Sequence, residues 1–255
     1  MGLVSNRVSN MLRRILIRGV LFSLLGVATT AAAIHIEQRL LRTRAEHLLE
    51  DIRSLELRRS TWADAQRVFT RWGAWGHYEG SCASPHCDYE VSFADFFAAR
   101  SRLIPETPWV GRALDFLGVR MSLVTAHLLV TDGFVTGKGF TVGVEVPPES
   151  GPKARFSGYR YTLIGRAETR TFPLGGSLDQ HSIHPEYTVM SPSGRTGCLA
   201  VIVRFTPLAD PSDVTRLMGF NLACLNSRKP CREREDIMPS AWKQHLAEDA
   251  GIEAR

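Results

Sequence analysis

The chain has 255 residues, of which 44% are hydrophobic and 22% are charged. These values are typical of a folded globular protein and exclude a largely disordered chain. Its net charge of +5 would fit a nucleic-acid-binding protein only if the charge were spread over the fold. Four of the five net positive charges lie in residues 1–36, which contain four arginines and no acidic residue. The rest of the chain is nearly neutral, so we expect no nucleic-acid partner.

Residues 19–36 form an apolar segment in which His35 is the only titratable side chain. A helix needs about 20 mainly apolar residues to cross a bilayer, whereas a cleaved signal peptide needs an apolar core of about 7–15. We interpret the segment as an uncleaved transmembrane signal-anchor. The small residues that end at Ala33 leave open the alternative of cleavage after Ala33. The short basic segment 1–18 predicts a cytoplasmic N-terminus in a single-pass protein of the cell membrane.

Residues 37–255 are predicted to form one extracytoplasmic globular domain, with a sub-boundary near residue 105 as the alternative organisation. A helix over residues 37–59 is indicated by apolar residues that recur at spacings of 3 and 4. A second helix is predicted to begin at a cap on Ser60 or Thr61, with Asp64 as the capping-box acid, and to end at Gly73. The two helices together predict a helical hairpin.

After an aromatic, glycine-rich segment at residues 72–80, which we interpret as a loop, most of the chain alternates with the period of β-strands. Asp132-Gly133 is a strong hairpin dipeptide, and Gly137-Lys138-Gly139 predicts a bulge or a second turn in the strand that follows. The predicted strands cover residues 87–93, 121–131, 134–146, 159–167, 187–190 and 198–206. Further helices are predicted at residues 107–118, at 211–225 after a cap on Asp210, and at 239–250.

The order of these elements predicts an α+β fold. It consists of an N-terminal transmembrane helix, a helical hairpin, and a mainly antiparallel sheet with covering helices.

Five cysteines lie at Cys82, Cys87, Cys198, Cys224 and Cys231. Outside the cytoplasm disulfide bonds persist, and the short spacings predict two local bridges, one between Cys82 and Cys87 and one between Cys224 and Cys231. Cys198 is then expected to be a buried strand thiol. Spacing permits these bridges without requiring them, so other pairings stay open.

Zinc is the alternative use of this region. His77, Cys82, His86 and Cys87 are close enough in sequence to supply ligands. Structural zinc sites usually contain tighter Cys-x2-Cys spacings, and thiols outside the cytoplasm face oxidation, so we favour the disulfide and expect no metal.

Asp179, His181 and His184 form the most enzyme-like cluster in the sequence. On a helix the two histidines would share a face, and together with Asp179 they could bind a metal or form a general base with its orienting carboxylate. Pro185 follows directly and favours a loop, in which ordinary surface histidines are the more common case. The sequence contains no Gly-x-Ser-x-Gly elbow, no His-Glu-x-x-His motif and no phosphate-binding loop.

Trp72, Trp75 and Tyr78 follow arginines in the aromatic segment. Exposed aromatic side chains beside arginine bind sugars or protein partners, although large aromatic residues fill cores just as readily, and we favour packing.

The sequence as a whole favours a non-catalytic envelope binding or assembly module with an envelope protein as its partner and no cofactor. The alternative is an extracytoplasmic hydrolase that uses a site around residues 179–184.

Overall fold

A computed structural model describes residues 3–95, 98, 117, 119, 121–146, 161–169, 183, 185–191, 197–227 and 231–251, with the backbone alone for residues 3–12. The described helices are α1 (Leu3–Ser54), α2 (Trp62–Trp72), α3 (Pro211–Leu217), α4 (Arg234–Ile237) and α5 (Pro239–Asp249), with a 3₁₀ helix at Leu222–Leu225. The described strands are β1 (Gly76–Ala83), β2 (His86–Ala94), β3 (Ser122–Thr131), β4 (Phe134–Val146), β5 (Tyr161–Thr169), β6 (Glu186–Met190) and β7 (Cys198–Phe205).

The seven strands form one sheet in the order β1-β2-β3-β4-β5-β7-β6. Every neighbouring pair is antiparallel except β5 and β7, which run parallel. Strand β7 therefore lies between β5 and β6, although it follows both in the sequence. The predicted α+β layout, with an apolar N-terminal helix and a mostly antiparallel sheet, is confirmed, and the sheet contains strands from both sides of residue 105.

The two ends of the sheet have different neighbours. At one end, the β3–β4 turn has positive φ angles at Asp132 and Gly133, 53° and 79°, as a tight hairpin requires. Gly133 accepts a backbone hydrogen bond from Trp62 of α2 (2.8 Å) and donates one to Ser84 of the β1–β2 turn (2.9 Å). We call this the distal end. We call the opposite end, where Ala94 of β2 lies beside residues 33–44 of α1, the anchor end.

One face of the sheet carries the hydrophobic core, because strand residues alternate between the two faces. On β2 the buried members are Cys87, Tyr89, Val91 and Phe93, and β3, β4 and β5 continue the same pattern. Both α1 and α2 contact β3 and β4 on this side. The predicted helical hairpin is not shown. Both helices lie against the sheet, and Asp51 of α1 accepts hydrogen bonds from Arg71 and Trp72 of α2.

The predicted start of α2 is confirmed at Thr61. Asp64 accepts hydrogen bonds from the backbone N–H of Thr61 (2.8 Å) and from its hydroxyl (2.9 Å), and these bonds hold the pKa of Asp64 below its usual value. The helix ends at Trp72, directly before Gly73.

Two expectations are wrong. Residues 76–83 form the edge strand β1 rather than a loop, because pairing with β2 alone supplies the hydrogen bonds that an edge strand needs. Gly76 is required there, since a Cβ atom at this position would lie 1.7 Å from the hydroxyl of the buried Tyr89. The predicted helix over residues 211–225 ends at Leu217 and is followed by the separate 3₁₀ helix. The helix predicted at residues 107–118 falls almost entirely outside the described residues.

Candidate functional site

Helix α1 has two halves with opposite surroundings. Its first half exposes apolar side chains to the outside of the protein, including Leu16 (63%), Leu21 (60%) and Phe22 (75%). Among the described residues, this is the one helix that is long and apolar enough to cross a membrane, and its apolar window has no buried residue. Water is a poor solvent for such a surface, and the length and composition of the segment suggest a membrane span or signal-anchor.

The second half of α1 belongs to the core of the domain. The predicted helix with apolar residues at spacings of 3 and 4 is confirmed here. The buried residues on this half are Ile34, Gln38, Leu41, Ala45, Leu48, Leu49 and Ile52. The helix runs without a break across Ala33 through 52 residues in all. The exposed apolar half and the core half are therefore parts of one continuous helix.

Lys138 of β4 fixes the end of α1 to the sheet. Its ammonium group donates hydrogen bonds to the backbone oxygens of Ile52 (3.2 Å), Arg53 (3.3 Å) and Leu55 (2.5 Å). The last carbonyls of a helix have no partner within the helix and carry partial negative charge, so a cation is favoured there. Lys138 itself is 4% exposed, and burial lowers its pKa to about 8, which still leaves it mostly charged at neutral pH.

The second face of the sheet carries a groove of about 480 Å³ over its central strands. Gly139 and Gly143 of β4 place no side chain on this face, and Thr141 lies between them. Thr125 of β3 and Arg166 of β5 lie directly opposite Thr141 on its two neighbouring strands. We call this groove the trough; Thr125, His127 and Arg166 line it together with apolar side chains that include Leu123 and Ile164.

A charged row crosses this face at right angles to the strands. In register from β2 to β6 it contains Glu90, His127, Gly139, Glu168, Arg204 and Glu186. On one side of the trough, Nδ1 of His127 lies 3.4 Å from Oε2 of Glu90. Gly139 separates this pair from the charges on the other side.

Beyond Gly139, Glu168 is shared by two arginines. Its Oε1 accepts a hydrogen bond from Nε of Arg204 (3.2 Å), and its Oε2 lies 3.8 Å from Nη1 of Arg166. Nε of Arg166 is buried and has no hydrogen-bond partner in the described structure. Arg166 and Glu90 lie on opposite walls of the trough, where a guanidinium group donates hydrogen bonds and a carboxylate accepts them.

The cysteine pairs lie at disulfide distance, consistent with the predicted pairing. The S–S distance is 1.96 Å for Cys82 and Cys87 and 1.98 Å for Cys224 and Cys231. The first pair closes the β1–β2 hairpin, and the second joins the 3₁₀ helix to the segment before α4. Cys198 is a free thiol at the start of β7 and is half-buried rather than fully buried.

The four residues of the zinc alternative lie on the β1–β2 hairpin. Cys82 and Cys87 are bonded to each other, and His77 and His86 are exposed on β1 and β2. No group of three or more His, Cys, Asp or Glu side chains in the described ranges is placed to hold a metal ion.

The three aromatic candidates differ in exposure. Trp72 is a core residue that is 4% exposed, Trp75 is half-buried, and Tyr78 is 51% exposed. The ring of Trp75 packs against Trp72 with centroids 5.7 Å apart, and Arg44 of α1 lies 5.1 Å from its centre. Tyr78 packs on the buried Tyr89 with centroids 4.9 Å apart.

The enzyme-like cluster Asp179, His181 and His184 lies outside the described residues. The structure instead draws attention to Lys138 and to the trough, which sequence reasoning missed. One signal was present for Lys138, because it shares the parity of Phe140 and Val142 and so belongs to the buried face. The trough had a similar signal, since glycines at positions 139 and 143 share the opposite face.

Comparison of the chain with protein-family models, with curated proteins and with solved structures gives no match in any of the three.

Proposed function

We propose that this protein is a single-pass membrane protein that holds a non-catalytic binding domain outside the cytoplasm, in the cell envelope. The observation that carries the proposal is the continuity of α1, in which an exposed apolar half and a core half form one helix. The arginine-rich residues 1–18 support a cytoplasmic N-terminus. The two cysteine pairs fit an oxidising compartment, where disulfide bonds persist.

We further propose that the signal-anchor remains uncleaved. Cleavage after Ala33 would make Ile34 the first residue of the mature chain. Ile34 and Leu41 are 5% and 3% exposed, so the helix on the far side of the cleavage point is part of the domain core. Removing the turns before Ile34 would take away their support and allow this end of α1 to fray.

The trough on the second sheet face is the proposed binding surface, with an envelope protein as the partner. An extended segment with both apolar and polar side chains fits it, because the floor has no side chain at Gly143 and the walls offer apolar groups and groups of both signs. Arg166 would bind a carboxylate or carbonyl oxygen of this partner, and Glu90 would accept a hydrogen bond from it.

Topology is tested by protease access combined with intact mass. In cells whose outer barrier is opened, external protease is expected to degrade residues 37–255, and the mass of undigested protein is expected to include residues 1–33. Protection of the domain until the cytoplasmic membrane is broken would contradict the orientation. A mature mass that begins at Ile34 would contradict the uncleaved anchor.

The binding surface is tested by a photo-crosslinking residue placed at Thr141, in the trough. Thr70, which is exposed on α2, is the matched control position. We expect a specific adduct from Thr141 in intact cells, its loss when Arg166→Ala is added, and no such adduct from Thr70. Equal adducts at both positions, or an adduct that survives Arg166→Ala, would refute this use of the trough.

A further inference from the structure

We propose that the anchor end of the domain rests directly on the bilayer, with Ile36 and Leu40 in contact with lipid. This inference rests on the proposed membrane anchoring and adds a second contact between the protein and the membrane. Its starting observation is a shallow groove of about 370 Å³ where α1 passes Ala94 of β2. The apolar members of the groove are Ala33, Ile36, Leu40, Leu41 and Ala94, and its charged members are Glu37 and Arg44.

Position along α1 identifies lipid as the occupant. A hydrocarbon layer of about 30 Å takes about 20 residues at a rise of 1.5 Å each, so a span that starts after Arg18 ends near Gln38. Leu40 then lies about 3 Å beyond the hydrocarbon, within the headgroup layer of about 5–7 Å. Ile36 lies at the edge of the hydrocarbon itself. Their exposures of 59% and 52% are costly in water and favourable at this depth.

The opposite side of α1 shows that the domain reaches the same level. Ile34 and Gln38 are 5% and 6% exposed, so the protein already covers one side of the helix at the depth where lipid surrounds the other. The helix has no break between the two halves, and no flexible linker holds the domain away from the membrane. A domain attached in this way must stand on the bilayer surface.

The charges next to the groove match the headgroup layer. Arg39 is exposed beside Leu40, and Arg44 follows one turn later with its guanidinium over Trp75 at 5.1 Å. Arginine and tryptophan are side chains that occupy the membrane–water boundary, because each has an apolar body and a polar end. Arg42, by contrast, donates hydrogen bonds to side chains of the protein itself, to Glu46 (2.7 Å) and to Asn226 (3.2 Å).

Spin-label accessibility in the full-length protein tests the inference. Single labels are attached to Ile36→Cys and Leu40→Cys in a Cys198→Ser background, without reducing agent, so that both disulfides stay closed. The protein is placed in vesicles of phosphatidylcholine and phosphatidylglycerol. The reference positions are Phe22→Cys in the apolar half of α1 and Glu50→Cys on its exposed, membrane-distant part. Collision with oxygen, which concentrates in lipid, is compared with collision with a water-soluble nickel chelate.

We expect the oxygen-to-nickel ratio at Ile36 and Leu40 to exceed that at Glu50 by about threefold or more and to approach that at Phe22. Ratios at Ile36 and Leu40 equal to that at Glu50, with Phe22 still lipid-like, would overturn the seating of the domain and leave the anchor intact. A water-like ratio at Phe22 as well would overturn both the inference and the proposed membrane span.

Discussion

Replacing Lys138 by methionine removes the charge that ends α1 and keeps a side chain of similar length. In the wild-type protein the Lys138 ammonium donates to three backbone oxygens at the end of the helix, of which those of Ile52 and Leu55 are buried with it. Methionine offers no donor, so these oxygens lose their partner in a place that water does not reach easily. We expect the variant to fold and to be less stable, because the cap is lost and the surrounding core is kept.

The size of the loss follows from two opposing effects. A hydrogen bond to a charged group contributes about 1.5–3 kcal/mol, and a cation at a partly buried helix end contributes up to about 2 kcal/mol. Burying the ammonium opposes this gain, and the lowered pKa of Lys138 shows that the cost of burial outweighs it for the charged form. Stranded oxygens add about 1–3 kcal/mol against the variant. The stranded oxygens then decide the result, and we expect Lys138→Met to lower the free energy of unfolding by about 1–3 kcal/mol.

Urea denaturation of the full-length protein in detergent, followed by tryptophan fluorescence, measures this change. Lys243→Met is the matched control, because Lys243 is exposed on α5, and we expect a change within about 0.5 kcal/mol. If Lys138→Met were as stable as this control, the proposed role of Lys138 in holding α1 to the sheet would be refuted.

Three further predictions follow from the same structure. The pKa of Lys138 is about 8 in the folded protein and near 10.4 in the unfolded chain, so between pH 8 and 10 the unfolded chain binds more protons than the folded one. In this window the wild type should therefore gain stability relative to Lys138→Met, by up to about 1.4 kcal/mol per pH unit. Urea curves at several pH values measure the gain, and a constant difference would contradict it. Gly165→Ala should lower the free energy of unfolding by about 1–3 kcal/mol, since its Cβ would lie 2.9 Å from Cγ of the buried Met238. Gly143→Ala is the control, because no atom lies closer than 3.8 Å to a Cβ at that position. Equal melting temperatures for the two variants would contradict this prediction, because they would show that Met238 moves aside at no cost in stability. Replacing Cys224 and Cys231 together by serine should lower the free energy of unfolding by roughly 2–3 kcal/mol, because the bridge restricts the unfolded chain and a loop closed over so few residues restricts it only modestly. An unchanged urea midpoint would argue against the bridge.

Local chemistry was readable where neighbours in sequence are also neighbours in space. The cap formed by Thr61 and Asp64, the turn at Asp132-Gly133 and the two cysteine pairs each depend on residues a few positions apart. Strand β1 was missed because an edge strand has only one partner and its glycines hide the alternation. The break after Leu217 was missed for a related reason, since helical spacing continues through it in the sequence.

The candidate site could not be assembled from the sequence in the same way. The charged row joins Glu90 on β2 to Arg204 on β7 across the three strands between them, and no local pattern states which strands are neighbours. The placement of β7 between β5 and β6 brings Arg204 next to Glu168, and it depends on how all the strands of the sheet pair with one another. The parity of Lys138 was visible, but its partners at the end of α1 lie more than 80 positions away.

The sequence by itself determined that an apolar helix begins the chain, that an α+β domain follows, and that two cysteine pairs are close. These properties follow from composition, period and short spacing, which act over a few residues. Only the tertiary structure decided that α1 is one element shared by the exposed apolar segment and the core, that Lys138 fixes its end, and that a trough lies over the central strands on the second sheet face. Those features depend on strand order and on burial, which are settled by the packing of distant segments and not by any one of them.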